Sequence, residues 1–163
     1  MENMLKIAIP NKGRLSQKIY DLLENAGLNF PAKDERTLSV MTYDGKCSLI
    51  YVRTQDIPKF VEDGVADIGF TGFDIVTELD SDVEIIKNLD FGKCDMVVAV
   101  KEEDNIDNSS QLPQEIKVAT SFPNIAKKYF EKAVEINNKD YIALCEGTAY
   151  SARVALDTVP HIN

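Results

Sequence analysis

The stretch L-K-I-A-I-P-N-K-G-R-L-S at residues 5–16 reads as a strand, a turn and the first turn of a helix. Its apolar run at residues 5–9 has the length of a strand. Leu15 and Ile19 then begin an apolar series at helical spacing, which Gly27 ends. A strand that runs through a short turn into an amphipathic helix is the building unit of α/β folds.

The same alternation of strands and helices continues along the chain. Asp44-Gly45 between two extended runs predicts a β-hairpin. Asp56 and Ser121 are expected to cap the starts of helices through their side chains. Further strands are predicted at residues 37–42, 47–53, 65–70, 83–86, 96–100, 116–120 and 141–144, and further helices at 56–61, 75–79, 121–134 and 149–156.

This order of elements predicts the α/β class with a mainly parallel sheet. The nearly uninterrupted apolar run at residues 96–100 is typical of a strand buried on both faces. Ligands of open α/β sheets bind outside the carboxyl ends of the strands. The turns that follow the strands are therefore the places to look for a site.

The composition is that of an ordinary globular protein: 163 residues, 44% of them apolar and 28% charged. This length suits one domain or two small lobes. The 27 acidic and 18 basic residues give a net charge of −9, which argues against nucleic acid as a partner. The sequence has no apolar run of the ~18 residues that a membrane span needs, and its start does not resemble a signal peptide. We therefore expect no membrane association and a cytoplasmic location.

Cysteine and histidine chemistry has little support in the sequence. Cys47, Cys94 and Cys145 are scattered and form no CxxC pair, so neither a zinc site nor a disulfide framework is predicted. They are expected to be structural thiols. The single histidine, His161, lies near the end of the sequence, where catalytic triads are not usually built. No metal-ligand set is predicted.

The turn after the first strand has the composition of an anion site. Lys12 and Arg14 flank Gly13 at the predicted start of a helix, where free N–H groups and the helix dipole attract negative charge. The spacing is not that of a P-loop. The alternative is a solvated turn with two surface cations, and the residues by themselves leave both interpretations open.

Two more turns carry similar residues. Gly69 and Gly72 would let the backbone approach a ligand, Thr71 supplies a hydroxyl, and Asp74 can cap the next helix. The alternative is a tight turn that needs glycine for its geometry. The later turn contains the two hydroxyls of Thr120 and Ser121, and plain helix capping is the alternative to ligand binding there. Arg53 follows a strand and can contact a ligand or be a surface salt-bridge partner.

Five stretches, taken in order, resemble the motifs of ATP phosphoribosyltransferase, the first enzyme of histidine biosynthesis. No stretch is decisive alone, but five in the family's order over about residues 4 to 144 are highly specific. They are IAIPNKGRLS at 7–16, RTQDIP at 53–58, GVADIGFTGFD at 64–74, FGKC at 91–94 and ATSFPN at 119–124.

The resemblance implies a two-lobed fold like that of type II periplasmic binding proteins. Residues 1–92 would form the first lobe, on the nucleotide side, and residues 93–163 the second. It implies that phosphoribosyl passes from phosphoribosyl pyrophosphate to N1 of ATP, with Mg²⁺, as pyrophosphate leaves. It assigns no catalytic residue. Matched motif by motif, the substrate-binding residues would be Lys12, Gly13, Arg14, Arg53, Thr71, Gly72, Asp74, Thr120 and Ser121.

The likeness weakens towards the end of the sequence. Residues 144–152 only loosely resemble a family segment of the type L-x-G-S-x-E-x-A-P, and Tyr150 stands near its acidic position. After Asp157 the likeness is lost, before the T-G-x-T-L turn that grips the 5-phosphate in the family. The second lobe is therefore expected to be truncated before that turn. Two alternatives stay open: a catalytically impaired nucleotide-binding remnant, or a small-molecule-binding module of the same fold.

The resemblance also bears on partners. The family's short form is similar in length to this chain and works with a regulatory subunit that resembles histidyl-tRNA synthetase. Such a subunit, and a homodimer, are the protein partners that the resemblance allows. ATP and phosphoribosyl pyrophosphate are the small-molecule partners that it implies.

Overall fold

The computed structural model describes residues 4–34, 36–108, 111–113, 115, 117–137 and 154–158. Backbone contacts divide the chain into two compact units, Met1–Lys93 and Cys94–Asn163. The fold is of the mixed α/β kind.

The first unit is built around a four-stranded sheet in the order β2-β3-β1-β4. The central strand β1 pairs in parallel with both β3 and β4, and β2 pairs antiparallel with β3 at one edge. The elements are β1 (Leu5–Pro10), α1 (Arg14–Asn25), β2 (Ser39–Met41), β3 (Cys47–Val52), α2 (Ile57–Glu62), β4 (Ile68–Gly69) and α3 (Phe73–Leu79), with a 3₁₀ turn at Thr54–Asp56 before α2.

Helices cover both faces of this sheet, and the side chains of β1 alternate between the two faces. Ile7 and Ile9 point to one face and pack with Ile19 of α1 in one buried cluster. Ala8 points to the other face and packs with Ile57 of α2 in a second cluster. Helices on opposite faces of a parallel sheet make three layers, and the strand predicted at residues 5–9 is the buried centre of them.

The predicted hairpin is present between β2 and β3. Gly45 has φ +71°, which glycine adopts without strain. The buried hydroxyl of Thr42 donates to Asp44 Oδ1 at 2.6 Å and accepts from the backbone N–H of Cys47 at 3.0 Å. The backbone N–H of Lys46 also donates to Asp44 Oδ1, at 3.1 Å. The Asp44 carboxylate therefore closes the turn.

We expect Asp44→Asn to cost the hairpin stability near pH 6, and we expect this cost to shrink only as the pH falls below about 3.9, the carboxyl's unfolded value. The Thr42 hydroxyl bond, followed by the Lys46 N–H bond, lowers the pKa of Asp44. A lowered pKa stabilises the fold above the carboxyl's unfolded value of about 3.9, and this contribution is lost as pH falls through the folded pKa. Urea unfolding of both proteins from about pH 2 to pH 7 measures it. Asp95→Asn, which removes the same charge from an exposed position, should show no such convergence, and a pH-independent difference for Asp44→Asn would contradict the argument.

The second unit is smaller in its described part. Its elements are β5 (Val97–Val100), a 3₁₀ turn at Glu102–Asp104, α4 (Pro123–Asn137) and β6 (Val154–Thr158). Strands β5 and β6 pair antiparallel with a register shift between Val98 and Ala99. Leu112 and Phe130 form the buried centre of this unit, with Val98 and Val100 packed against them.

Several predicted strands are wrong or too long. The structure has no strand at residues 83–86, where Ile85 and Ile86 are 44% and 76% exposed. An apolar run becomes a stable strand only when a neighbouring strand pairs with it and a core covers it. Among the described residues, no strand pairs with this run. Residues 117–120 are also irregular, and the strand predicted at 65–70 is reduced to Ile68–Gly69.

The second unit departs from the prediction in two further ways. Strand β5 is not buried on both faces, since Val97 is 43% exposed and alternate residues are only half-buried. The helix predicted at residues 149–156 is wrong for its described part, because Val154–Thr158 is a strand paired with β5. Among the described residues, the mainly parallel sheet is therefore found in the first unit. The strand predicted at 141–144 lies outside the described residues.

No helix in the described ranges is both long and apolar enough to cross a membrane. The two cysteines that the structure describes are both free. Cys47 is buried in the core of the first unit, as expected of a structural thiol. Cys94 is exposed, contrary to that expectation.

Candidate functional site

The carboxyl ends of three parallel strands meet at one edge of the first sheet. Pro10 pairs with Val52, and Ala8 pairs with Gly69, so the chain leaves β1, β3 and β4 at the same edge. This edge therefore collects the loops that hold most of the predicted site residues, which are Lys12, Gly13, Arg14, Arg53, Thr71, Gly72 and Asp74.

The turn after β1 presents cations at the start of α1. Gly13 precedes the helix with φ +106°, a backbone conformation that residues with a side chain rarely adopt, and α1 begins at Arg14. Its first turn has no acidic residue and, within the described structure, no side chain caps it. Lys12, Gly13 and Arg14 are all exposed. A phosphate would meet two cations and the positive end of a helix dipole here.

Hydrogen bonds to other parts of the chain hold this turn in place. The backbone N–H of Asn11 donates to Val52 O at 2.8 Å, which ties the turn to the end of β3. The buried Ser16 hydroxyl donates to Pro10 O at 3.2 Å. The Lys33 ammonium donates to Asn11 O and lies 4.7 Å from the centre of the Tyr51 ring.

Lys33 was not singled out from the sequence. It lies in an irregular segment between α1 and β2 and belongs to no motif or periodic pattern. Only the folded chain brings it to the turn, 22 residues away in sequence. A basic residue in an otherwise unpatterned loop carries no signal that sequence reasoning could have used.

The turn after β4 is closed by its own side chains. The Thr71 hydroxyl donates to Thr54 O at 3.0 Å, so it links this loop to the one after β3. The backbone N–H of Ile75 donates to Asp74 Oδ1 at 2.9 Å. Asp74 is the second residue of α3, and no side chain caps this helix in the described structure, so the predicted cap by Asp74 is wrong. A Cβ at Gly72 would lie 2.1 Å from Asp74 Oδ1, so glycine leaves room for the carboxylate.

Gly69 has a packing role in the structure. A Cβ there would lie 2.5 Å from Ile57 Cγ2 and 2.9 Å from Val61 Cγ2 of α2. The glycine allows β4 and α2 to pack closely.

Thr71→Val is expected to destabilise the first unit by about 0.5–1.5 kcal/mol, the net value of one hydrogen bond. Valine keeps the shape of threonine but cannot donate to Thr54 O. Urea denaturation measures the loss, and Thr71→Ser is the matched control because it keeps the hydroxyl. If the serine and valine variants lost the same stability, the bond to Thr54 would not be what Thr71 contributes.

Arg53 and Asp56 stand at the end of β3. Arg53 is exposed, and its carbonyl oxygen accepts from the backbone N–H of Asp56 at 2.9 Å. Asp56 does precede α2, with Pro58 in the first turn, but its side chain makes no capping hydrogen bond in the described structure. The predicted side-chain cap is therefore wrong, while the helix start is confirmed.

The last two predicted residues lie in the second unit. The Thr120 hydroxyl accepts from the backbone N–H of Phe122 at 2.9 Å, just before α4 begins at Pro123. Ser121 is exposed and stands two residues before the helix, so the described structure places Thr120 in the local hydrogen bond that was predicted for Ser121.

A resident metal centre is not formed by the described residues. No three His, Cys, Asp or Glu side chains in that part of the chain lie close enough together to hold a metal ion. Mg²⁺ commonly binds through one or two carboxylates and the phosphates of a substrate. Asp74, half-buried at the sheet edge, is a carboxylate that suits this mode.

Comparison with known proteins points to one family. The family model HisG, described as ATP phosphoribosyltransferase, matches residues 53–148. An ATP phosphoribosyltransferase of Methanococcoides burtonii is 38% identical over 148 residues, which cover 90% of this chain and 52% of the relative. One from Methanocella arvoryzae is 44% identical over 127 residues, which cover 78% of this chain and 44% of the relative. The chain thus spans about half the length of these relatives.

A solved structure gives the same indication. The chain resembles a chain of the ATP phosphoribosyl transferase (HisG:HisZ) complex from Thermotoga maritima, with a TM-score of 0.64 and 28% identity. The match covers 90% of this chain and 66% of that chain.

Proposed function

The chain belongs to the ATP phosphoribosyltransferase family, and from this premise we propose that it takes part in transferring phosphoribosyl from phosphoribosyl pyrophosphate to N1 of ATP, the first step of histidine biosynthesis. The observation that carries the proposal is the sheet edge of the first unit. There the turn with Lys12, Gly13 and Arg14 meets the loops after β3 and β4. The family model matches residues 53–148, which include Arg53 and the loop after β4.

Binding of phosphate charge is the role proposed for this edge. Lys12 and Arg14 would contact phosphate oxygens, since charge-assisted hydrogen bonds to anions are strong and Arg can bind two oxygens at once. Gly13 would let the backbone come close to the same oxygens. Arg53, exposed after β3, would add a third cation. Thr71 and Gly72 would contact substrate from the loop after β4.

The proposed reaction asks little covalent work of the protein. N1 of the adenine attacks the anomeric carbon of the ribose while the bond to pyrophosphate breaks. The chain's own residues would hold two polyanions in register and stabilise the charge that develops on the leaving group. Mg²⁺ arriving on the phosphates would neutralise part of their charge when bound, with Asp74 as its proposed carboxylate ligand.

The lobes and the remaining contacts belong to the same proposal. We assign residues 1–92 and 93–163 to the two lobes of a fold of the type II periplasmic-binding kind, a division close to the two compact units. Thr120 and Ser121, before α4, are proposed as further substrate contacts. The Thermotoga maritima relative was solved as a HisG:HisZ complex, which supports a regulatory subunit as a partner of this chain. We also propose a homodimer and a cytoplasmic location.

Calorimetry on the purified chain tests the function directly. ATP and phosphoribosyl pyrophosphate are titrated separately, each with Mg²⁺. Saturable binding of both is expected, and an assay for pyrophosphate release with both substrates should then show turnover. Binding of ATP alone would contradict the transferase and favour a nucleotide-binding remnant. A folded chain that binds neither would overturn the proposed site altogether.

A further inference from the structure

Three backbone groups are fixed in succession where β1 ends, and Lys33 holds the last of them. The Ser16 hydroxyl donates to Pro10 O at 3.2 Å, and the backbone N–H of Asn11 donates to Val52 O at 2.8 Å. The Lys33 ammonium then donates to Asn11 O. The first two donors are neutral, whereas a charged donor makes a hydrogen bond about twice as strong. The strongest of the three bonds is therefore the one that Lys33 makes.

Free backbone donors begin directly after this bond. No residue that the structure describes accepts a hydrogen bond from the backbone N–H of Lys12 or Gly13, and both residues are exposed. The carbonyl of Asn11 and the N–H of Lys12 belong to one trans peptide group, so they point in opposite directions. By fixing the carbonyl, Lys33 also fixes the direction in which the Lys12 N–H is presented.

The ammonium also makes this peptide group a better partner for an anion. A charged donor at the carbonyl polarises the peptide, which strengthens its N–H as a hydrogen-bond donor. The charge of Lys33 adds to the cations of the same turn, since none of the described ion pairs includes Lys12 or Arg14. Both effects favour a phosphate oxygen at the Lys12 N–H.

Tyr51 orients the Lys33 side chain towards Asn11. The ammonium lies 4.7 Å from the centre of the Tyr51 ring, and Tyr51 is 7% exposed in the core of the first unit. Burial, and then the charge of Tyr20, raises the pKa of Tyr51 to about 12, so its enclosed hydroxyl stays neutral. Lys33 therefore meets an aromatic face and not a phenolate, and its charge is not neutralised there.

We infer, on the basis of the proposed function, that Lys33 is a positioning residue of the phosphate site and acts through the Asn11–Lys12 peptide group. It orients and polarises the Lys12 N–H, which donates to a phosphate oxygen beside the Lys12 and Arg14 side chains. Lys33 needs no contact of its own with the substrate.

Calorimetry with ATP and Mg²⁺ tests the effect on binding. Lys33→Met keeps an apolar side chain of similar length but removes the ammonium, and it should weaken ATP about tenfold, the scale of one hydrogen bond to a charged group. Lys33→Arg keeps a charged donor and should bind ATP within about threefold of the parent chain. Lys87→Met is the matched control, because it removes the same charge from an exposed position between α3 and β5. It should leave the affinity nearly unchanged.

Backbone NMR of the ligand-free chain tests the positioning itself. The ¹H–¹⁵N nuclear Overhauser effects of Lys12 and Gly13 should match those of α1 in the parent chain, in Lys33→Arg and in Lys87→Met. They should fall in Lys33→Met, because the peptide group is released. Urea unfolding of the same proteins gives the free energy of unfolding. A merely structural role of Lys33 would lower this free energy without a selective change at the two amides.

Either of two results would overturn the role of Lys33. One is equal ATP affinity in Lys33→Met and Lys87→Met, and the other is equal order of the Lys12 and Gly13 amides in these two proteins. If Lys33→Met fails to fold, Lys33→Gln, which is shorter and uncharged, replaces it and should show the same losses. A parent chain that binds no ATP contradicts the proposed function instead, and the amide comparison still decides whether Lys33 positions the turn.

Discussion

Arg14→Ala is expected to weaken the binding of ATP, with Mg²⁺ present, by ~1–3 kcal/mol, the scale of a charge-assisted hydrogen bond to phosphate. Arg14 is the first residue of α1, is exposed, and follows Gly13 at the positive end of the helix dipole. Its removal takes away a bidentate donor where the backbone N–H groups also point. Calorimetric titration of parent and variant measures the difference.

The control separates local contact from overall charge. The chain has a net charge of −9, so any lost cation weakens anion binding through the long-range field. Lys87→Ala removes the same charge from an exposed position in the segment between α3 and β5 and should change the affinity little. If Arg14→Ala and Lys87→Ala weakened ATP equally, or if Arg14→Ala had no effect, the turn after β1 would not be part of the site.

Leu49→Ala is expected to lower the free energy of unfolding by ~2–5 kcal/mol. Leu49 is fully buried in β3 and packs in the cluster that joins β1 to α1. Truncation removes apolar contacts and leaves a cavity in a three-layer centre that cannot collapse easily. Urea denaturation followed by circular dichroism gives the free energy and the m-value together.

Leu38→Ala is the matched control for this core. Leu38 stands just before β2 and is 78% exposed. The same change of side chain there should cost under about 0.5 kcal/mol. Similar losses in the two variants would show that β3 is not packed at the centre of the sheet. A large fall in the m-value would instead show that unfolding is no longer two-state.

The acidic surface and the basic turn are compatible because they act over different distances. Salt at physiological strength screens exposed charges beyond about 8 Å. Lys12, Arg14 and the start of α1 would act on a phosphate at contact distance, where nearby charges outweigh distant ones. The site therefore does not need a basic protein around it.

Most of the first unit follows from local sequence pattern. The run at residues 5–9, the helical series from Leu15 and the Asp44-Gly45 turn each carry their own signal, and each element is present as predicted. The position of Lys12 and Arg14 at a helix start could be predicted because the strand-to-helix turn around them is recognisable in the sequence. Because carboxyl ends of parallel strands share an edge, their convergence with Arg53 and Thr71 also follows from the predicted fold.

What the tertiary structure decided depends on partners distant in sequence. In the described part of the chain, no strand pairs with Ile85 and Ile86, which stay irregular, whereas residues 154–158 form a strand because β5 pairs with them. Gly69 is needed by the packing of α2, and Lys33 reaches Asn11 across 22 residues. Local pattern records only what a segment prefers. Strand pairing, close packing and the enclosure of the Tyr51 hydroxyl are set by surfaces that exist only once the chain has folded.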